Sequence, residues 1–123
     1  MFMTSDKKTI EKLKSSKYRH AFLESWVKST LALQIRGLRK KLNRDQKQFA
    51  EMIGTRQSAI SRIEDPEYGK MSMDLLLKLA KTFDTALIIE FVNYEEFLAR
   101  KSRFCDETLV IEIFNESISK PDV

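Results

Sequence analysis

The sequence predicts a mainly α-helical fold, with a helical extension at its N-terminus and a small β element towards its C-terminus. Three observations predict it. Residues 18–42 lack proline and carry Leu23, Val27, Leu31, Ile35, Leu38 and Leu42 in steps of four or three, which is one helical face. Residues 46–63, QKQFAEMIGTRQSAISRI, hold two short helical patterns on either side of Gly54. Past Asp84 the helical period gives way to a run of β-branched and aromatic residues.

Residues 4–16 are polar and lysine-rich, with Ile10 and Leu13 as anchors, and predict a short helix that packs lightly. The long helix that follows has a second apolar stripe, Tyr18, Phe22, Trp26 and Leu33, and so more surface to bury than a four-helix unit usually covers. Either the first helix folds back over Trp26 or this face meets a second subunit. Asp45 stands as an N-cap with Gln48 three residues on, the capping-box arrangement. Thr55 is the expected cap of the next helix. Asp65-Pro66-Glu67-Tyr68-Gly69 reads as a turn, and Ser72 caps a helix with Leu75, Leu76, Leu79, Ala80 and Phe83 on one side.

Residues 86–92 (ALIIEFV) read as a strand, residues 94–104 as a short helix and residues 108–114 (TLVIEIF) as a second strand. Tyr94, Phe97 and Phe104 read as core. Two strands on a helical body have open edges, which pair with each other or across a two-fold axis. Residues from Asn115 onward are expected to be disordered. The expected organisation is a helical extension over residues 1–30, a helical domain over 31–84 and a strand/helix dimerisation element over 85–123.

A chain of 123 residues can bury one modest core. Its one cysteine, Cys105, excludes an internal disulfide, and with the one histidine, His20, builds neither a metal site of the usual N/S type nor a Cys–His nucleophile pair. Three glycines supply no phosphate-binding loop. No catalytic residue, metal or cofactor is expected. No apolar run approaches the roughly 18 residues of a membrane span, and MFMTSDKK lacks a signal-peptide core, so a soluble cytoplasmic protein is expected. Charge is unevenly spread. Residues 1–83 hold 18 Lys/Arg against 9 Asp/Glu, whereas residues 84–123 hold 4 against 9. The basic part suits a polyanion.

The pattern within 46–63 carries the most specific chemistry. Two short helices crossing steeply require a small residue at the crossing, here Ala50, and a turn residue for which left-handed backbone is cheap, here Gly54. Phe49, Ile53, Ile60 and Ile63 then share a core, leaving Arg56, Gln57, Ser58 and Arg62 outward on the second helix. Gln can bond adenine N6/N7 and Arg guanine O6/N7, each in bidentate fashion, in a major groove.

Gln46, Ala50, Gly54, the Gln57-Ser58-Ala59-Ile60 run and the Ile63-Glu64 ending resemble the Cro/C1-type (XRE) helix-turn-helix regulators, which include the lambdoid phage repressors; the similarity covers residues 31–83. The resemblance implies a lambda-repressor-like bundle in which Gln57 and Ser58 occupy the main base-contacting positions, with Arg62 one turn on. It implies that Gln46 bonds phosphate and braces the second helix, and that Arg39 pairs with Glu64 as a structural ion pair. Arg44, Lys47 and Lys70 are further candidate phosphate contacts, as is Ser61 from the side of the helix. The implied partner is double-stranded DNA, bound as a homodimer on a palindromic operator by a repressor. Leu87, Ile89, Phe91 and Trp26 are the candidate dimer residues. An antitoxin that binds a toxin through its C-terminal part, or a protein-interaction adaptor on the same fold, are the alternatives.

Overall fold

The computed structural model describes residues 7–107, in six helices: α1 (Lys7–Leu13), α2 (Ser16–Lys41), α3 (Gln46–Ile53), α4 (Gln57–Ile63), α5 (Met73–Phe83) and α6 (Tyr94–Glu107). Local capping sets most of their ends. Ser15 Oγ accepts the Tyr18 N–H at 3.3 Å and opens α2, which runs 26 residues, about 39 Å at 1.5 Å per residue. Arg39, Lys40 and Lys41 fill its last turn, where positive charge complements the helix dipole. Asp45 Oδ1 accepts the Gln48 N–H at 2.7 Å while Gln48 Oε1 accepts the Asp45 N–H at 2.9 Å, so the capping box opens α3 as expected. Ser72 Oγ accepts the Leu75 N–H and opens α5.

Gly54 closes α3 with φ +84°, and nothing lies within 4 Å of where a Cβ would sit. Glycine is needed there for backbone conformation, not for space. The cap of α4 differs from the expectation. Arg56, not Thr55, is the extended residue before the helix, and it makes no side-chain cap. Thr55 is drawn into the preceding turn, its N–H bonding the Ala50 carbonyl at 2.8 Å, which moves the helix start one residue on.

Ile35 and Leu38 of α2, Phe49, Ala50 and Ile53 of α3, Ile60 and Ile63 of α4, and Leu79 and Phe83 of α5 form one buried cluster. Phe49 stacks on Phe83 with centroids 5.4 Å apart. Ala50, nearly inaccessible, sits where α3 and α4 pack together.

Within the chain, the middle of the second stripe of α2, Phe22 and Trp26, is covered by α6 and not by the first helix, while Tyr18 and Leu33 stay exposed. Leu13 of α1 is buried, but the cover over the aromatic residues comes from α6. Phe97 meets Phe22, Trp26 and Tyr94 edge-on, with centroids 6.3, 6.0 and 5.9 Å away. Lys101 Nζ stands 5.2 Å from the Trp26 ring centre.

The β element is not formed among the described residues. Residues 85–93 join α5 to α6 without regular secondary structure, and no strand occurs among the described residues. Residues 86–92 have strand composition, but strand pairing needs a second edge, and helices offer none. The second expected strand, residues 108–114, and the tail from Asn115 lie outside the described residues, as do residues 4–6 of the expected first helix. No described helix is long and apolar enough to cross a membrane.

Candidate nucleic-acid interface

Arg39, Glu64 and Gln46 tie the ends of three helices together. Arg39 Nε donates to Glu64 Oε2 at 2.6 Å and Nη2 to Oε1 at 2.9 Å, a bidentate fork. Nη1 donates to the Arg44 carbonyl at 2.8 Å, which fixes the α2–α3 connection. Gln46 Nε2 donates to Glu64 Oε1 at 3.2 Å, so the carboxylate receives α2 on one side and the start of α3 on the other. The Arg39 and Glu64 side chains are 9% and 4% exposed. The hydrogen bond to Glu64 raises the Arg39 pKa above its usual value, outweighing the opposite pull of burial. Glu64 stands at the C-cap of α4, where a negative charge opposes the helix dipole, and Arg39 offsets that cost.

This brace orients α4. Ile60 and Ile63 point into the core, leaving Gln57, Ser58, Ser61 and Arg62 exposed along the opposite side, with Arg56 exposed at the N-cap. Neither Arg56 nor Arg62 makes a salt bridge among the described residues. A helix of seven residues, about 10 Å long, with amide, hydroxyl and guanidinium groups facing outward, can present donors and acceptors to a few successive base pairs.

Arg44 and Lys47 are exposed at the start of α3, beside half-buried Gln46. Lys70 is exposed on the loop leaving α4. That loop is seated by Gly69, at φ +60°, against the aliphatic stem of Lys28; a Cβ on Gly69 would lie 2.4 Å from Lys28 Cε. One cation not singled out from the sequence joins this surface. Arg36, exposed on α2 one turn before Arg39, lines a groove with Gln46, Ser61, Glu64 and Asp65. Its only sequence signal is a basic residue three positions before Arg39.

The candidate dimer residues part company. Ile89 is 58% exposed, Phe91 is fully exposed and Leu87 is half-buried; Ile88 beside them is 77% exposed. Trp26 is half-buried, its ring taken up by Phe97 and Lys101, and its remaining surface lines a groove with Leu23, Val27, Phe91 and Val92. Arg100 pairs with Glu90 and Glu96 and so links the α5–α6 connection to α6. Among the described residues no group of three His, Cys, Asp or Glu side chains could hold a metal ion.

The model of the helix-turn-helix family matches residues 35–88, from the last turns of α2 through α5 and into the connection to α6. Comparison with curated proteins and with solved structures gives no match.

Proposed function

We propose that the chain, which matches the helix-turn-helix family over residues 35–88, is a DNA-binding regulator of the Cro/C1 type, a sequence-specific repressor acting as a homodimer on a two-fold symmetric operator. The observation that carries this is the outward side of α4, whose polar side chains are exposed on a helix held rigidly from behind by Arg39, Glu64 and Gln46. Gln57 and Ser58 enter the major groove with Arg56 and Arg62 at either end of the contact. Gln46, Arg44, Lys47, Ser61 and Lys70 hold the phosphates, which sets register without reading sequence.

Dimerisation follows from the segment after α5. Ile88, Ile89 and Phe91 are exposed on a segment that has no ladder partner among the described residues. Pairing with the same segment of a second copy buries these side chains and satisfies the backbone around one axis. It also holds two α4 helices at the roughly 34 Å repeat of successive major grooves. Repression is then steric, by occupation of the promoter.

The same exposed segment supports a second reading, an antitoxin whose toxin covers it; a chain that is monomeric alone yet binds DNA favours that reading. Titration of the full chain into a labelled random-sequence duplex tests the first step. Affinity should fall steeply with salt, by several logarithmic units of slope, because each phosphate contact contributes roughly one. Absence of salt-sensitive binding removes the proposal.

A further inference from the structure

The groove between α2, α3 and the end of α4 is lined by Arg36, Arg39, Gln46, Ser61, Glu64 and Asp65. Its groups are unequally engaged. Arg39 and Glu64 neutralise each other in their bidentate pair. Asp65 Oδ1 accepts the Glu67 N–H at 2.9 Å. Gln46 commits one N–H of its amide to Glu64, and an amide carries two. Arg36 makes no hydrogen bond or ion pair among the described residues and is exposed. Three donors of different origin therefore share one opening: a guanidinium from α2, an amide N–H from α3 and a hydroxyl from α4.

We propose that Arg36, with Ser61 and Gln46, forms a clasp for one DNA backbone phosphate beside the recognition helix. This rests on the DNA-binding reading above and adds to it the cation that the two neutral donors need. A phosphodiester presents two charged oxygens, and a guanidinium fork meets both while keeping its charge at any working pH. Ser61 lies one helical turn beyond Gln57 on α4, so the phosphate held here flanks the bases that Gln57 faces. Because α2 is anchored to α4 through Arg39, the clasp couples the depth of α4 in the groove to the backbone. Asp65 places an opposing charge in the same groove and weakens the clasp.

The test compares salt titrations of the wild type, Arg36→Ala, Ser61→Ala, the double variant and Asp65→Asn on one labelled random-sequence duplex. Arg36→Ala should reduce the slope of log affinity against log salt by about one, so that its deficit shrinks roughly three- to fourfold between about 50 and 200 mM salt. Its melting temperature should match the wild type, since the side chain has no partner to lose among the described residues. The double variant should lose less than the sum of the singles, as groups sharing one phosphate do. Asp65→Asn should strengthen binding. If the wild type binds and Arg36→Ala keeps both its affinity and its slope, the clasp is wrong while DNA binding stands. A loss of affinity in Arg36→Ala with an unchanged salt slope also overturns the clasp. A wild type without salt-sensitive binding overturns both readings.

Discussion

Replacing Arg39 by Ala removes one partner of a pair whose side chains are 9% and 4% exposed. The loss is larger than one ion pair. Glu64 would keep only Gln46, by a 3.2 Å bond, and the Arg44 carbonyl would lose its guanidinium donor. Stranding one member of a buried pair costs roughly 3–5 kcal/mol, and the slight exposure here places the loss near about 3 kcal/mol. For a domain of this size each kcal/mol moves the melting temperature by about 4 °C, so a fall of roughly 12 °C is expected by circular dichroism. Glu64→Ala should cost a similar amount. The double variant Arg39→Met/Glu64→Met should recover most of it, because exchanging the pair for apolar side chains leaves no buried charge. Any surviving DNA binding by Arg39→Ala should keep its sequence preference, since Arg39 faces the interior. Single variants that each lose under about 1 kcal/mol, with additive effects in the double, would refute a brace at this position.

Gly54→Ala should destabilise the fold by about 1–2 kcal/mol in urea unfolding, from the left-handed backbone alone, because no neighbour lies within 4 Å. Ile89→Lys should give a folded monomer by sedimentation with weakened operator binding; a dimer of full affinity would show that residues 86–92 do not form the subunit contact. Lys70→Ala should weaken operator and random DNA alike and flatten the salt slope by about one, and a loss confined to the operator would assign it to base reading instead.

Features that depend on a few neighbouring residues were legible in the sequence. The Asp45–Gln48 capping box, the Ser72 cap and the left-handed Gly54 are settled within one turn of chain, and all three stand where expected. Phe49, Ile53, Ile60 and Ile63 were legible as core because their spacing allows one shared side. What escaped depends on contacts between distant segments. The stripe at Phe22 and Trp26 announces a need for cover, but nothing local says that Phe97 provides it. Residues 86–92 have the composition of a strand, yet a strand exists only with a partner, and the described chain has none to offer. The groove at Arg36 exists only after three helices meet. Thr55 shows a finer failure: a good capping residue lost its place because the turn before it claimed its N–H.

The outward side of α4 is proposed to read DNA sequence. Selection of bound duplexes from a random pool by the full chain, repeated with Gln57→Ala, tests it most directly. The expected result is a two-fold symmetric motif with half-sites about 10 base pairs apart, in which the Gln57→Ala protein loses preference at one position of each half-site and costs about 1–3 kcal/mol in affinity. Recovery of no motif, or of an identical motif with both proteins, would contradict it.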